Sequence, residues 1–491
     1  MIKSKAIEII NTLSNDELNE FRLFLDSPYF NRKKKILIMF DIIRSRFKDF
    51  DKNDVSEEQV FGELFSGGKY SASFVRNLMS ELLTKCKEFL VVNRIKKENF
   101  DDNHSSLTLL DELNRRHLDN LFEIELRDQR SKFDRMKMDD QYFEALAKLE
   151  SVNIAYYLFR SSMHKVSPHI FKRAEYNFIQ FLKLFEHDLM DISVNKTAFN
   201  IDTDKEIFPA LARYIDTDGM LDTLAGYQSS GKEEIEIRLR LIKLGNGLED
   251  DENYFRLKKL LLSRTGLYTN SESANLFIKL KNYCGFRIYE GERNFYDEKF
   301  ALGKKELELI KFNEDGVGPL HISIFLELVQ FALHEKDVAY AEFVLETHSS
   351  SLEESRRKSV AGLAEAMICF EKGLFDQSLK FLSSVSPFNT LMKVSCKVLL
   401  IRLFYELAES ESGISAIESF RHFLATSKDI GERRRSNLEV NLRIIRNLFR
   451  LRFNRAECSP EELDDLSDMI RKSESRYSRW YLEKVNELKP I

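Results

Sequence analysis

The chain has 491 residues, and 75 lysines and arginines against 80 aspartates and glutamates give it a net charge of −5. This balance excludes a global attraction to nucleic acid or anionic lipid, and five scattered cysteines without a CxxC pair argue against a disulfide framework or zinc site. Because Glu8 and Asn11 interrupt the first apolar run and no run nears the roughly 18 residues of a membrane span, we expect a cytoplasmic protein with no membrane partner.

Helix breakers are rare along the whole sequence. There are 18 glycines and 7 prolines, and neither residue occurs between positions 107 and 163. Apolar residues recur at helical spacing, so the sequence predicts an all-α fold. We expect a helical N-terminal domain at residues 1–98, a helical-hairpin region at 107–317, and stacked helical hairpins with C-terminal capping helices at 318–491.

The N-terminal domain opens with clear helix signals. Ser14 and Glu17 form a capping box ahead of apolar residues at helical spacing. Pro28 ends that helix, and Asn31 is placed to cap the next one. A later helix, predicted over residues 71–92, carries the clearest apolar face in the chain.

Two short motifs in this domain carry a resemblance. Residues 27–31 read SPYFN, and residues 75–83 read VRNLMSELL. The combination resembles the N-terminal signature of a family of uncharacterised bacterial helical proteins of about this length. The resemblance covers about the first fifth of the chain, implies a helical fold there, and implies no activity.

The middle of the chain predicts long helices followed by shorter ones. Residues 99–106 are polar and acidic and make the best candidate linker. Beyond them we predict long helices over 107–135 and 139–163, a helix that starts at Pro168, and a loop over 191–205. Between residues 208 and 312 the predicted helices are short, with breaks at Gly231, Gly245, Gly266 and Gly291.

The clearest unit of the C-terminal half is a pair of helices over residues 359–387. Its first helix carries Ala366 and its second carries Ser378, two small residues that allow the helices to approach closely. Ala341 and Ala416 occupy the register of Ser378 at spacings of 37 and 38 residues. The pattern resembles a divergent tetratricopeptide repeat, whose usual period is about 34 residues. The resemblance implies an α-solenoid, because one hairpin cannot bury its apolar stripe without stacked neighbours.

The resemblance also implies a ligand groove, because the first helix of each tetratricopeptide hairpin lines the groove of the array. The positions that carry over are Leu326 and Gln330 in one hairpin, Leu363, Met367 and Phe370 in the next, and Ile401 and Tyr405 in the third. The lysine and asparagine clamp that some relatives use for a carboxylate is absent at these positions. We therefore expect a protein partner that offers an apolar or helical segment, or a groove filled by the chain itself.

Signals for catalysis, metals or cofactors are weak. Gly62, Gly68 and Lys69 approximate a phosphate loop, but Gly68 displaces the lysine and Tyr70 replaces the required hydroxyl. Asp216 begins a calcium-like DTDG segment that lacks oxygen ligands at two loop positions, which favours a helix cap. The nine histidines show no HExxH spacing. We therefore predict a non-catalytic protein with no cofactor and no metal site.

Two basic stretches point to a different class of function. One runs from Arg32 to Lys35 at the start of a predicted helix, and the other runs from Arg433 to Arg455. Residues 421–460 hold ten basic against four acidic residues. Helical spacing gives one face of the second stretch three arginines, Arg443, Arg446 and Arg450. Such a face suits nucleic-acid phosphate or an acidic peptide, and a solvated face with local ion pairs is the simpler interpretation.

Residues 56–90 also admit a helix-turn-helix interpretation. A capping box at Ser56 and Gln59 opens the first helix, and Arg76 lies on the polar side of the second. Glu81 shares that polar side, and a carboxylate that faces phosphate weakens binding.

The sequence leaves two candidate functions. The first is a non-catalytic intracellular scaffold or adaptor that binds a protein partner through a helical-repeat groove. The alternative is a nucleic-acid-associated regulator that uses the two basic stretches, and it requires an affinity that falls steeply with salt.

Overall fold

The computed structural model describes residues 5–46, 62, 71–99, 103–199, 206–245, 250–292, 294–314, 317–427, 429–454, 459–473, 475 and 477–489. Over these ranges the backbone forms helices joined by turns, and its one extended pairing is an isolated bridge between Met138 and Tyr268. The predicted all-α fold is confirmed. None of the described helices is long and apolar enough to cross a membrane. Gly68 and Lys69 of the phosphate-loop candidate, and the Ser56 capping box, lie outside the described residues.

The fold divides into two compact units, Met1–Lys132 and Phe133–Ile491. The domain boundaries predicted at residues 98 and 317 stay predictions. The described helices of the N-terminal unit are α1 (Lys5–Ile10), α2 (Asn15–Asp26), α3 (Lys34–Arg46), α4 (Ala72–Asn99), α5 (Asn103–Arg115) and α6 (Asp119–Phe133), the last of which ends at the boundary. Helix α4 extends past its predicted end at residue 92, and α5 begins within the predicted linker.

Aromatic rings form much of the core of the N-terminal unit. The ring of Phe21 on α2 lies 4.9 Å from that of Phe40 on α3 and 5.0 Å from that of Phe89 on α4, measured between centroids. Phe30, in the turn between α2 and α3, stacks on Phe24 at 4.5 Å. Burial of each such side chain contributes about 1.5–3 kcal/mol, so this seam holds the three helices together.

Two predicted caps have different outcomes. The capping box is confirmed, because the Glu17 N–H donates to Ser14 Oγ at 3.2 Å and the Ser14 N–H donates to the Glu17 carboxylate at 3.0 Å. The prediction that Asn31 caps α3 is wrong. Its buried amide donates to the Leu25 carbonyl at 2.8 Å and accepts from the Lys33 N–H at 3.0 Å, so it fixes the turn between α2 and α3.

The C-terminal unit is a succession of paired helices. It begins with α7 (Tyr142–Phe159), α8 (Met163–Phe199), α9 (Ile207–Ala212), α10 (Thr217–Ala225), α11 (Lys232–Gly245), α12 (Asp251–Arg264), α13 (Asn270–Tyr289) and α14 (Asn294–Leu309). It continues with α15 (Ile322–His334), α16 (Val338–His348), α17 (Glu354–Glu371), α18 (Phe375–Ser383), α19 (Thr390–Glu406), α20 (Ser410–Thr426), α21 (Glu432–Phe453), α22 (Pro460–Lys472) and α23 (Ser478–Leu488). Helices α7 and α8, α13 and α14, α15 and α16, α17 and α18, and α19 and α20 pack pairwise.

One type of turn joins these pairs and also joins α5 to α6 in the N-terminal unit. A residue with left-handed φ donates its N–H to the carbonyl three residues back, and the next residue donates to the carbonyl five residues back. Within the described chain this turn occurs at His117, Ser161, Gly291, Lys336, Gly373 and Ala408. Only two of these residues are glycine, so the turn is defined by its hydrogen bonds and not by residue type.

Four further predicted element boundaries are wrong. The helix predicted over 139–163 ends at Phe159, before the left-handed turn at Ser161. The helix predicted over 107–135 is broken at His117, whose φ of 57° ends α5 and turns the backbone before α6 begins. Helix α8 begins before Pro168, which therefore lies inside the helix. The predicted loop over 191–205 is helical as far as Phe199, because polar side chains are tolerated on a helix that buries only one face.

Small residues determine where the repeated helices approach closely. Ser378 on α18 is fully buried, and its Oγ donates to the Ala366 carbonyl on α17 at 2.6 Å. In the third pair Ala416 is only partly buried. Gly413 makes the close approach there, because a Cβ on it would lie 2.1 Å from the Phe449 ring on α21. In the third pair, therefore, Gly413 allows α20 to approach the following helix α21 closely.

Candidate functional site

The C-terminal unit contains a cavity of about 520 Å³. Three of its walls are α15, α17 and α19, the first helices of successive pairs, and the others are the end of α13, the start of α14 and the residues around the start of α23. We call this cavity the hairpin pocket. Its lining includes Gly285, Gln330, Phe331, Met367, Arg402 and Trp480. A concave site of this size, with mixed apolar and polar walls, is typical of ligand binding.

The structure brings three of the predicted groove residues to the hairpin pocket, and these are Gln330, Met367 and Phe370. Gln330 Nε2 lies 3.9 Å from Met367 Sδ. The other four, Leu326, Leu363, Ile401 and Tyr405, are each at most 1% exposed and pack in the core. Their helices are covered by neighbours on more than one side, so packing between the pairs uses most of their apolar positions.

Helix α23 of the chain itself covers much of the predicted groove. The Trp480 ring lies 6.2 Å from the Phe370 ring and 5.4 Å from the Tyr405 ring, and its Nε1 donates to Glu406 at 2.7 Å. Lys484, one turn later, pairs with the same carboxylate at 3.0 Å. The C-terminal helix is therefore packed into the groove region through its aromatic side, and the hairpin pocket is the part that stays open.

Arg402 on α19 is a buried charge beside the pocket, with 7% of the residue exposed. Its guanidinium carbon lies 4.1 Å from the centre of the Phe370 ring and 4.8 Å from that of Trp480. One terminal nitrogen lies 3.4 Å from the Glu371 carboxylate, and Nε has no hydrogen-bond partner among the described residues. Cation–π contacts and one ion pair thus hold the charge in a largely apolar setting.

Paired charges surround the pocket. Lys299 lies 3.0 Å from Glu327, and Lys336 lies 3.4 Å from Glu371 and 3.8 Å from Glu483. Because each of these cations has a carboxylate partner, the pocket does not present a single sign of charge. A ligand with both apolar and hydrogen-bonding groups suits it better than a simple anion or cation.

Gly285, inside α13, forms part of the pocket wall. A Cβ there would meet only the Nζ of Lys299, at 3.9 Å, so a side chain at this position would extend toward the cavity without striking the backbone. The sequence did not predict Gly285, Arg402 or Trp480 as site residues. The available signal for Gly285 is a glycine in a helix interior, which costs about 1 kcal/mol relative to alanine. The other two depend on contacts between distant parts of the chain.

The predicted basic face lies on α21. Arg443, Arg446 and Arg450 are all exposed on one side of this helix. Arg446 lies 3.7 Å from Glu418, and Arg450 lies 3.0 Å from Glu462. Two of the three arginines are therefore already ion-paired within the chain, as in the simpler interpretation of this face.

Other members of the second basic stretch make local contacts. Arg435 donates to the Ser427 carbonyl at 2.7 Å, near the end of α20, and Arg452 donates to a carbonyl on α19. The Arg433 side chain and all of Arg455 lie outside the described residues.

The first basic stretch, from Arg32 to Lys35, straddles the start of α3 with all four side chains exposed. Lys33 pairs with Glu81 at 2.7 Å, and Lys35 lies over the Phe74 ring at 5.3 Å. Most of the first helix of the helix-turn-helix candidate lies outside the described residues.

Burial keeps three of the described thiols protonated. It raises the pKa of Cys86 to about 12, and the pKa of Cys284 and of Cys396 to about 11, so these groups stay protonated at neutral pH. Asp216 accepts from the Gly219 N–H at 2.9 Å and caps α10, which confirms its predicted role. Over the described ranges, no three metal-ligating side chains come together.

No protein-family model matches the sequence, and no curated protein or solved structure is significantly similar to it. The class of protein therefore rests on the fold and the site alone. They define an all-α chain of paired helices with a pocket between the first helices of successive pairs and the C-terminal helix.

Proposed function

We propose that this chain is a non-catalytic cytoplasmic scaffold or adaptor, and that the hairpin pocket binds a segment of a protein partner. The observation that carries the proposal is the pocket of about 520 Å³ between α15, α17 and α19. We further propose a divergent tetratricopeptide-like class. The paired helices and the recurring left-handed turn support that assignment.

The pocket favours a short segment with one long apolar or aromatic side chain. Met367 and Phe331 offer apolar surface, and the methionine thioether adapts to ligand shape. Gln330 adds an amide for orientation. Because α23 covers the neighbouring surface, an anchor side chain with its flanking residues fits better than a long helix laid along the groove.

The N-terminal unit is proposed as a structural module related to the uncharacterised bacterial helical proteins that it resembles. Residues 27–31 form the turn that stacks Phe30 on Phe24, and residues 75–83 supply Val75 to the same core. The joint packing of the two motifs supports a shared helical fold, and no activity follows from it.

Substitution of Gly285 tests the pocket. In Gly285→Trp the indole enters the cavity and occupies the part of it beside α13. We therefore expect this variant to lose the partner that the wild-type chain retains when tagged chains are recovered from native cells after nuclease treatment. Gly285→Ala is the matched control, because a methyl group leaves most of the cavity open and removes a helix-interior glycine that costs about 1 kcal/mol. Far-UV circular dichroism is expected to be the same for all three chains.

Equal recovery of the partner by folded Gly285→Trp and wild type would show that the pocket is not the binding site. Loss of the wild-type partner on nuclease treatment would instead favour the nucleic-acid alternative.

A further inference from the structure

A second surface, separate from the hairpin pocket, lies on the long helix α8. Four large apolar side chains on one side of it face water: Phe171 is 73% exposed, Phe178 37%, Phe181 50% and Leu184 57%. The other side of α8 buries Ile179 and its neighbours in the core. Single exposed apolar residues are ordinary, but a contiguous row marks an interaction surface. We call this row the aromatic stripe.

The aromatic stripe has the spacing of a helix-pairing seam. Phe171, Phe178 and Phe181 belong to a series with positions 174 and 185 that alternates steps of three and four residues and so stays on one side of a helix, and Leu184 lies on the flank of that series. Ring centroids are 6.4 Å apart for Phe178 and Phe181 and 5.8 Å apart for Phe181 and Phe185. Phe208 on α9 lies 4.9 Å from Phe185 and supports that end of the row. The stripe is thus an ordered surface along which a second helix can lie.

Charges at the two ends of the stripe are opposite in sign. Helical spacing places Arg173 at one end and Asp188 and Asp191 at the other, on the same flank of α8. Arg173 is half-buried, and both aspartates are exposed. When two copies of α8 pair antiparallel about a twofold axis at Phe181, Arg173 of each copy lies beside the two aspartates of the other. Parallel pairing would leave Arg173 of each copy at the opposite end of the seam from the two aspartates of the other, so the charges favour the antiparallel arrangement.

We propose that the aromatic stripe is a self-association surface whose occupant is α8 of a second copy of this chain, in antiparallel orientation. The twofold axis places Phe181 against Phe181 of the second copy. It also places Phe178 against Phe185 of the second copy, and the reverse, so the seam is filled by aromatic contacts.

The area of the aromatic stripe determines how tightly the two copies are expected to associate. Residues 171–191 span about 30 Å of helix, whereas a stable interface buries about 800 Å² on each partner, more than one helix face supplies. Ile207 and Leu211 on α9 are 74% and 59% exposed near Phe185, and Met163 at the start of α8 is 62% exposed. These residues extend the apolar area toward that of a weak, reversible dimer.

Cross-linking of the full chain tests the register. Helices that pack 8–10 Å apart bring facing Cα atoms to about 5 Å, within disulfide reach. Phe181→Cys should therefore form an intermolecular disulfide on mild oxidation, located at position 181 by peptide mass spectrometry. Ala174→Cys is the control, because antiparallel pairing keeps its two copies about 20 Å apart. Equal cross-linking of both variants would overturn the antiparallel register.

Sedimentation of the full chain across a wide concentration range tests the association itself. We expect a concentration-dependent dimer, and Phe181→Lys should weaken it at least about tenfold without loss of helicity. Arg173→Glu should also weaken it, and Arg173→Glu combined with Asp191→Arg should restore it. A wild-type chain that stays monomeric throughout, or a dimer unaffected by Phe181→Lys, would overturn the proposal. So would a monomer that floats with anionic phosphatidylserine vesicles and loses that binding in Phe181→Lys, because the stripe would then be a lipid-binding surface.

Discussion

At the scale of single residues, the recurring turn is notable for the side chains that occupy it. Four of its left-handed positions hold a residue with a Cβ, and these are His117, Ser161, Lys336 and Ala408. A Cβ in this conformation costs roughly 1–2 kcal/mol. Each turn is therefore maintained by its two backbone hydrogen bonds and by the packing of the helices that it joins.

Exchange of glycine and alanine at two of these turns should change stability in opposite directions. Ala408 is exposed with φ 61°, so Ala408→Gly removes backbone strain. Glycine makes the unfolded chain more flexible, which offsets part of this gain, and the net stabilisation should be roughly 0.5–1 kcal/mol. Gly373 has φ 76° and open space around it, so Gly373→Ala should destabilise by about 1 kcal/mol through backbone strain alone. Urea unfolding followed by circular dichroism measures both, and shifts of the same sign would contradict the explanation.

At the scale of elements, α8, α11 and α13 are joined by a buried network of charges. Its members are Lys183, Glu186, Glu234, Arg238, Glu272 and Lys279. Arg238 donates to Glu234 at 2.6 Å and to Glu272 at 2.8 Å, and Lys183 lies 3.1 Å from Glu272. Three cations balance three carboxylates, so mutual attraction offsets much of the cost of removing these charges from water.

This network predicts a loss of stability in acid. Burial alone would raise the pKa of Glu272, but Arg238 and Lys183 outweigh it and hold the pKa at about 2, below the ordinary value of 4.5. Since the folded pKa is the lower one, the stabilisation is complete above the unfolded value and is lost as the pH falls from about 4.5 to about 2. Glu272→Gln should be less stable than wild type by about 3 kcal/mol at neutral pH, and the difference should narrow across that window.

Urea unfolding of the wild type and Glu272→Gln at a series of pH values measures this difference. Other carboxylates titrate in both chains, so only the change in the difference reports Glu272. A difference that stays constant from neutral pH to about pH 2 would contradict the assigned ion pairs.

The features of the fold that the sequence predicts are those determined by residues close together in the chain. The capping box at Ser14 predicts the start of α2, because both partners lie within one turn. The breaks at His117 and Ser161 are not predictable in this way, since neither residue type is specific to left-handed backbone and each turn depends on the helices that it joins. At the site, repeat register places Met367 in the pocket, whereas the packing of Trp480 against α17 and α19 is a contact between distant parts of the chain.

At the scale of the whole molecule, charge is balanced overall and neutralised locally. The net charge is −5, and Glu418 and Glu462 pair with two of the three exposed arginines of α21, Arg446 and Arg450. Similar pairs surround the hairpin pocket. Non-specific nucleic-acid binding needs a stretch of uncompensated positive charge, so this distribution favours the scaffold over the nucleic-acid regulator.

Alanine substitution of Arg443, Arg446 and Arg450 together separates these two functions. If the chain is a scaffold, the triple variant keeps its partner and binds labelled DNA and RNA oligonucleotides no differently from wild type. If it is a nucleic-acid regulator, wild-type affinity falls with salt, and the triple variant reduces the slope of log K against log salt by up to about 3. Fluorescence anisotropy over a salt series measures the slope.

The position of Trp480 has an optical consequence. It is the single tryptophan of the chain, it forms part of the pocket wall, and it is held by Arg402 and by its hydrogen bond to Glu406. Indole emission depends on local polarity and on neighbouring charges, so a molecule that enters the pocket changes the spectrum of this one fluorophore. The native protein thus contains its own sensor for occupancy, and candidate peptides can be screened against it without a label.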